Sequence, residues 1–394
     1  MNILIFSIEF PPHGGGAGSY SRNLAVGLSK MNHSVTILTI HKKEFGDREK
    51  VIDENLKRYK NLTLIRKPFI PKLYILTIGK YCDKLLQNNN YDILFLADAG
   101  AQKIAAYTLK KNIVPSWTVF HGSEIKNYFM NKSMLFNIFQ GSTKLKIFFK
   151  KVNGCIAVSH DMRVHVLQEL PELSKKVHVI HHGIDMALFI RGNPKEKAQA
   201  RRLLGLSQKQ HILFSASRLI QEKGQDVLIK AMPSILEYLT DVLLIIAGEG
   251  PYRDYLENLV KERALQRYIQ FVNHLFVEEM IEYFHACDLF VMLSRRKHEE
   301  SFGLVYLEAN ACGRAVVAGR TGGVAEAVED GISGVLVDPM DIDSVANTII
   351  ALLKNDKQRK KMEKSAYERT VKYFTIEEMA KQTLNIIKSQ MDKS

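Results

Sequence analysis

The sequence has few of the features that mark secreted, fibrous or membrane-spanning proteins. No uncharged apolar run approaches the ~18 residues that would cross a bilayer. The apolar start Met1–Ile8 has no basic lead-in and is soon followed by prolines, which predicts a buried strand rather than a signal peptide. The few cysteines form no pair at metal-binding or redox spacing, which favours a reducing cytoplasm. They are Cys82, Cys155, Cys287 and Cys312.

Acidic residues are scarce in the first half of the chain. Residues 1–184 contain 26 of the 55 lysines and arginines but only 13 of the 42 acidic residues, so residues 185–394 hold 29 of each. The whole excess of positive charge therefore lies in the first half. This asymmetry predicts an anionic partner, namely a membrane surface, a nucleic acid or a phosphorylated substrate.

The composition is that of a globular protein with a substantial core. The 394 residues are 46% hydrophobic and 25% charged, which favours two or three domains. Short apolar runs rich in β-formers alternate with helical segments such as Ser19–Lys30 and Val227–Tyr238, which predicts parallel sheets covered on both faces. The predicted strands are Ile3–Ile8, Ser34–Ile40, Ile93–Leu96, Thr118–Phe120, Gly154–Val158, Val177–Ile180, His211–Ser215, Val242–Ala247, Ile269–Phe271, Leu289–Leu293, Ala315–Ala318 and Gly334–Val337.

These elements predict two doubly wound, Rossmann-like α/β domains. The pattern breaks near Gly183–Pro194, so we expect an N-terminal domain at 1–184 and a C-terminal domain at 185–374. Ligands of such sheets bind at the carboxyl ends of the strands. Two such domains facing each other would place the active site in the cleft between them.

Polar and glycine-rich segments follow several of the predicted strands. Residues 9–19 place a Gly-rich turn between a strand and a helix, where the backbone can approach an anion closely, although the turn lacks the dinucleotide and P-loop patterns. His121-Gly122 follows the strand that contains Trp117. An isolated histidine of this kind is more often structural than catalytic. Arg218 and Lys223 flank a third strand end, where two cations suit a diphosphate.

Two glutamates eight residues apart form the most informative segment. Glu300 precedes Phe302-Gly303, and Glu308 follows. If a helix starts near Gly303, its free amides lie between the two carboxylates. That arrangement suits a sugar phosphate, whose hydroxyl groups need acceptors.

In combination, these segments resemble family 4 glycosyltransferases of the GT-B fold over nearly the whole chain. The resemblance rests on an ordered series of motifs, which no single motif would carry. They are the Pro-Pro-x-x-Gly-Gly opening, His121-Gly122, Arg218 with Lys223-Gly224, Gly248-Glu249-Gly250-Pro251, Glu300 and Glu308 as E-x7-E, Gly322-Gly323 to Asp330-Gly331, and Gly334 to Asp338-Pro339.

The resemblance implies a retaining, metal-independent transfer of a hexosyl or N-acetylhexosaminyl group from a nucleotide diphosphate sugar, with no further cofactor. It implies that Arg218 and Lys223 hold the diphosphate, that Glu300 binds the sugar and Glu308 the ribose, and that His121 contacts the sugar near the reacting carbon. Cations at the phosphate would stabilise the leaving group. The implied catalytic residues are His121, Arg218, Lys223 and Glu300; further donor contacts fall on Gly15, Gly16, Phe302, Gly303, Leu304, Val305 and Glu308, and acceptor contacts on Glu9, His13 and Tyr20. It also allows a C-terminal helix at about 375–394 to pack back onto the first domain.

Two positions depart from the family pattern or imitate another one. His182-Gly183 stands where many relatives have Asn-Gly, which we expect to affect the hinge between domains more than the chemistry. Asp341-Ile342-Asp343 matches a metal-binding pattern of a different glycosyltransferase fold. Because it follows a proline and precedes an apolar helical stretch, we interpret it as a helix N-cap and predict no metal site.

The basic first half also contains bulky apolar residues. Residues 126–159 contain six lysines and no acidic residue, and Asn55–Cys82 contains seven basic residues and no acidic one. Basic residues mixed with apolar ones suit docking to an anionic leaflet, although the apolar residues could instead face the core. We expect a peripheral protein on the inner face of the membrane with a lipid-linked or glycan acceptor, as in glycolipid, polysaccharide or lipopolysaccharide synthesis.

Three alternatives remain open at this point. A nucleotide-sugar 2-epimerase shares the two-domain architecture and would convert the donor without an acceptor. A nucleic-acid-binding protein would fit the net charge of +13, but no nucleic-acid module is present, so we predict no such partner. A binding protein that has the transferase fold but has lost the activity would not need Arg218, Lys223, Glu300 and Glu308, so their presence argues against this alternative.

Overall fold

The chain folds into two compact α/β units. The structure is a computed structural model that describes residues 1–12, 15–71, 73–108, 114–125, 128, 141–295 and 300–392. The first unit comprises Met1–Gly183 together with Ile376–Ser394, and the second comprises Ile184–Thr375.

The first unit is built on a seven-stranded parallel sheet with the order β3-β2-β1-β4-β5-β6-β7. Its strands are β1 Asn2–Phe6, β2 Ser34–His41, β3 Leu62–Pro68, β4 Ile93–Leu96, β5 Ser116–Phe120, β6 Gly154–Ala157 and β7 Val177–Val179. Its helices are α1 Gly16–Lys30, α2 Gly46–Leu56, α3 Tyr74–Asn88, α4 Ala99–Thr108, α5 Ser123–Ile125, α6 Gly141–Lys151 and α7 His160–Glu169, with short 3₁₀ turns at Lys43–Phe45 and Pro171–Leu173. Strand order reverses between β1 and β4, which places the switch point of the sheet there.

The second unit is built on a six-stranded parallel sheet with the order β10-β9-β8-β11-β12-β13. Its strands are β8 His211–Ala216, β9 Val242–Ala247, β10 Ile269–Val272, β11 Leu289–Met292, β12 Val316–Gly319 and β13 Gly334–Val337. Its helices are α8 Pro194–Leu203, α9 Gln225–Tyr238, α10 Arg253–Glu262, α11 Val277–Ala286, α12 Leu304–Ala311, α13 Val324–Ala327, α14 Ile342–Lys354 and α15 Asp356–Tyr373, with a 3₁₀ turn at Gln221–Lys223. The switch point of this sheet lies between β8 and β11.

The last helix of the chain, α16 Ile376–Met391, belongs to the first unit and packs on α1. A Cβ at Gly27 would lie 2.5 Å from the carbonyl oxygen of Ile376. Glycine therefore permits the two helices to approach each other closely. Lys30 and Glu377 add an ion pair at 2.8 Å between them.

The doubly wound fold class predicted from the sequence is confirmed. Three of the predicted strands have the bounds that we expected, and the ends of the others differ by at most two residues. The sequence prediction missed β3, an edge strand whose residues are only half-buried. Its apolar run is shorter and ends in Arg66-Lys67, so it lacks the continuous hydrophobicity of the buried strands.

Candidate active site

In the second unit, the loops that follow β8 and β11 meet at the switch point. Gly224 ends the Gln221–Lys223 turn with a φ of 71°. A Cβ at this position would lie 2.1 Å from the carbonyl oxygen of Leu293. Both the left-handed conformation and the close approach require glycine, and together they bring Lys223 against the loop after β11.

Lys223 and Glu300 form a direct ion pair at this point. Their side chains are only 14% and 10% exposed. The Ser294 hydroxyl also donates to Glu300, with Oγ 2.8 Å from Oε2. The site thus contains a mostly buried, hydrogen-bonded pair of opposite charges whose partners come from two neighbouring strand ends.

Arg295, which the sequence analysis did not select, fastens the two loops together. Its backbone N–H donates to the carbonyl of Glu222 at 3.0 Å. Its guanidinium pairs with the buried carboxylate of Asp226, with Nη1 3.1 Å from Oδ2. Arg295 follows the β11 strand end closely in sequence, so the rule that selects strand ends could have found it.

Helix α12 begins beside Glu300, as the sequence predicted. Gly303 is its N-cap and has a φ of 86°. A Cβ there would lie 2.4 Å from the ring of Tyr306. The first amides of a helix lack intrahelical acceptors, so those of Leu304 and Val305 can donate to a ligand.

The side chain of Phe302 is buried in the second unit. Its side chain is 1% exposed and lies 6.0 Å from the ring of Phe374, measured between ring centroids. This position does not support a ligand contact for the Phe302 side chain. The ring instead anchors the loop that carries Glu300.

Arg218 and Glu308 make no direct side-chain contact with the Lys223–Glu300 pair among the residues that the structure describes. Arg218 is exposed directly after β8, and its guanidinium has no ion pair or hydrogen bond with any residue that the structure describes. Glu308 lies within α12, and burial raises the pKa of its carboxyl group to about 7. No described residue donates a hydrogen bond to that carboxylate. The structure therefore joins two of the four predicted charged groups by direct contact.

In the first unit, His121 lies at the end of β5. Its Nε2 is 2.9 Å from the carbonyl oxygen of Ala97, so this nitrogen carries the proton and donates it. Burial lowers the pKa of His121 to about 4, although the Ala97 hydrogen bond and the charge of Asp98 oppose the shift. The imidazole is therefore neutral near pH 7 and can serve as a polar contact rather than as a proton donor to a leaving group.

Asp98, another residue that the sequence analysis missed, organises the loop after β1. Its Oδ2 accepts hydrogen bonds from Ser7 Oγ at 2.7 Å, Ile8 N at 2.5 Å and Glu9 N at 3.0 Å. Its Oδ1 accepts from Ala101 N at 2.8 Å. Asp98 closely follows β4, next to β1 in the sheet, so the strand-end rule could also have found it.

Glu124 plays a similar part behind His121. Its Oε2 accepts from the backbone N–H groups of His121 at 3.0 Å and Gly122 at 2.7 Å. Burial raises the pKa of its carboxyl group to about 7, although these hydrogen bonds lower it. Glu124 thus shapes the turn that holds the imidazole.

The predicted acceptor residues lie in different surroundings. Glu9 is half-buried, and a Cβ at Gly15, the N-cap of α1, would lie 3.4 Å from its Oε2. Gly16 is the first residue of α1. Tyr20 is fully buried and lies 5.1 Å from the ring of His121, a position that does not support direct contact with an acceptor. His13 lies outside the described residues.

Asp341 is confirmed as a helix N-cap. Its side chain accepts from Ser344 N at the start of α14. Across the ranges that the structure describes, no three His, Cys, Asp or Glu side chains are grouped as ligands for a metal ion. Within the same ranges, none of the helices combines the length and the apolar character that crossing a bilayer would need.

The two doubly wound parallel sheets form the two-domain, Rossmann-like architecture of the GT-B fold, which solved glycosyltransferase structures share. Comparison with known proteins gives the family. The model of Glycosyltransferase Family 4 matches residues 14–188, and that of Glycosyl transferases group 1 matches residues 196–369. The chain belongs to family 4 of the glycosyltransferases, and it is an enzyme of that class.

Similar proteins span almost the whole chain. It is 26% identical to the GDP-mannose-dependent monoacylated alpha-(1-6)-phosphatidylinositol monomannoside mannosyltransferase of Corynebacterium glutamicum, over 98% of each chain. It is 25% identical to the N-acetyl-alpha-D-glucosaminyl L-malate synthase of Bacillus anthracis, over 94% of this chain and 93% of that protein. Among solved structures, Anabaena HepE in complex with UDP-glucose has a TM-score of 0.79 at 20% identity, over 99% of this chain and 100% of that one.

Proposed function

We propose that this enzyme transfers a hexosyl or N-acetylhexosaminyl group from a nucleotide diphosphate sugar to a hydroxyl group of a lipid-linked or glycan acceptor, with retention at the anomeric carbon and without a metal ion. The observation that carries the proposal is the buried Lys223–Glu300 pair beside the start of α12. The relative from Corynebacterium glutamicum is named a mannosyltransferase, and the relative from Bacillus anthracis is named an N-acetyl-alpha-D-glucosaminyl L-malate synthase.

The second unit supplies the groups that a departing diphosphate needs. Breaking the bond between sugar and phosphate places negative charge on the phosphate, which preorganised cations and helix amides stabilise. Lys223 and Arg218 are the cations, and the amides of Leu304 and Val305 are the neutral donors. Because Glu300 already orients the Lys223 side chain, that side chain loses little further conformational entropy when the diphosphate binds.

The two glutamates then bind the neutral parts of the donor. Glu300 lies beside Lys223, so its carboxylate can accept from sugar hydroxyls close to the phosphate. Glu308, which has no described donor of its own, can accept from the ribose hydroxyls. No residue of the second unit needs to attack the sugar, and we assign no covalent nucleophile.

The experiment that tests this proposal is a thermal-shift panel with UDP, GDP and ADP. A ligand that binds the native state raises the unfolding midpoint, and we expect one of the three to do so clearly. Arg218→Ala should lose most of that shift without changing the midpoint of the free protein, because its side chain is exposed. The matched control is Lys209→Ala, an exposed cation before the amino end of β8, which should keep the shift.

A clear failure would be the absence of a response to all three nucleotides. Incubation with donor alone separates transfer from the epimerase alternative, since only an epimerase would consume the donor sugar at a useful rate without an acceptor. Product stereochemistry tests retention, and activity in excess chelator tests metal independence; inverted product or loss of activity on chelation would overturn these two parts of the proposal.

A further inference from the structure

Three exposed aliphatic side chains cluster where β3 runs into α3. Ile70, Leu73 and Leu76, the apolar tip, are 43%, 52% and 54% exposed. They lie within seven residues of one another, across the loop and the first turn of the helix. Groups of large exposed aliphatics mark interaction surfaces, whereas single ones are ordinary.

Helix α3 continues this surface with basic residues. Leu73, Leu76, Lys80 and Lys84 are separated by three or four residues and are all exposed, so they follow one helix face. The opposite face is buried through Ile78, Gly79, Cys82 and Leu86. At a rise of about 1.5 Å per residue, the two lysines lie about 6 and 12 Å along the axis beyond Leu76.

We propose that the apolar tip inserts into an anionic lipid bilayer while Lys80 and Lys84 contact the headgroups. Interfacial helices bury their apolar side chains at the boundary between headgroups and acyl chains, and their basic side chains contact the anionic headgroups. No described acidic side chain pairs with either lysine. Asp83, the acidic residue of this helix, is partly buried and accepts from Gln87 Nε2 at 3.0 Å.

The position of the apolar tip connects it to the candidate active edge of the first unit. The tip follows the carboxyl end of β3, two strands from β1, which corresponds to about 10 Å along the edge of the sheet. Arg66 at the end of β3 donates from Nη2 to the carbonyl of Pro11 at 2.8 Å and pairs with Asp53. Insertion of the tip would thus hold the backbone at Glu9–Pro12 beside the bilayer, where a lipid-linked acceptor is available.

The second basic segment has a different character. On α6, Leu145, Phe148 and Phe149 are buried, and Ile147 is exposed by itself. The prediction that apolar residues of this segment meet the membrane is therefore not supported for these positions, and those at 129–139 lie outside the described residues. Ile147, exposed at 50% among lysines, is a matched control for the tip.

Site-specific labelling tests the inference directly. All four native cysteines are buried, so Leu73→Cys and Ile147→Cys can each be labelled in the full chain with a polarity-sensitive fluorophore. On vesicles of equal phosphatidylglycerol and phosphatidylcholine, we expect a blue shift and brighter emission at position 73 and little change at position 147. Vesicles of phosphatidylcholine alone should give a much smaller response at position 73.

A second experiment measures the loss of binding in the double variant Leu73→Ser/Leu76→Ser. Its affinity for the anionic vesicles, measured by co-sedimentation, should fall by about tenfold. Ile147→Ser should leave it unchanged. The inference would be overturned by equal fluorescence responses at positions 73 and 147, or by no response at position 73. Self-association of the protein through the apolar tip, without vesicle binding, would overturn it as well. The inference rests on the proposed function for its lipid-linked acceptor, but the two fail in different experiments. The double serine variant should keep the thermal shift with nucleotide. If the unmodified protein shows no thermal shift, that result counts only against the proposed function.

Discussion

The carboxyl edges of the two sheets use buried acidic groups in different ways. In the first unit, Asp98 and Glu124 accept hydrogen bonds mainly from backbone amides, and so they fix the shape of the loops after β1 and β5. In the second unit, Glu300 pairs with the side chain of Lys223. A carboxylate bound to several backbone amides cannot leave them without unpairing the loop, whereas a side-chain ion pair can be exchanged for a ligand of similar charge.

This difference indicates where shape and where charge should dominate. We expect substitutions of the charged side chains at the first edge to act mainly through folding, and those at the second edge mainly through ligand binding. Four predictions test that contrast, and the largest effect is expected at Lys223.

Lys223→Ala should reduce kcat/KM by about 10³, because removal of a preorganised charge at the leaving group typically costs that much. Steady-state kinetics with the donor identified by thermal shift provides the measurement. The loss of stability, measured from the unfolding midpoint, should be too small to explain the loss in kcat/KM. A loss of activity that merely follows a loss of folded protein would contradict the assignment of Lys223 to the chemistry.

Asp98→Ala should lower the free energy of unfolding by about 3 kcal/mol, because four donors lose a mostly buried acceptor. Urea unfolding checks the value. Asp92→Ala is the control at the other end of β4, where an exposed carboxylate accepts from Asn2 N at 2.7 Å. It should cost less than about 1 kcal/mol, and equal losses at the two aspartates would refute the structural role of Asp98.

Gly224→Ala and Gly331→Ala separate backbone strain from close approach. Both glycines are left-handed, with φ of 71° and 75°, but a Cβ at Gly331 meets nothing within 4 Å. Gly331→Ala should therefore cost about 1 kcal/mol of conformational strain, and Gly224→Ala about 2–3 kcal/mol because it also displaces Leu293. Chemical denaturation measures both, and the Gly224 variant alone should lose activity, since Lys223 moves with the turn.

Glu308 should make nucleotide binding depend on pH. With a pKa of about 7, its carboxyl group is mostly ionised at pH 8 and mostly protonated at pH 6. Because ribose hydroxyls donate to the ionised form, affinity should fall by about tenfold from pH 8 to pH 6. Titration calorimetry on wild type and Glu308→Gln isolates this effect, since the nucleotide titrates equally in both; identical pH profiles would exclude Glu308 as the ribose acceptor.

The same contrast explains how far the sequence could predict the site. Lys223, Glu300 and the start of α12 were found because glycines and charged residues lie in the loops that follow continuous apolar strands. Asp98 and Glu124 also follow strands, but a single acidic residue in a loop gives no indication of whether it binds amides or solvent. Tyr20 and Phe302 show the converse, since an aromatic residue inside a motif can face either the ligand or the core.

The sequence by itself determined the two doubly wound sheets, the order of the strand-end motifs and the excess of positive charge in the first half, because periodicity, turn residues and charge are local properties of the chain. Only the tertiary structure decided which charges meet. Lys223 and Glu300 are 77 residues apart in sequence and pair because β8 and β11 are neighbours in the sheet. It also decided that Leu73 and Leu76 face solvent while Phe148 and Phe149 do not, since burial depends on which elements pack against each helix face.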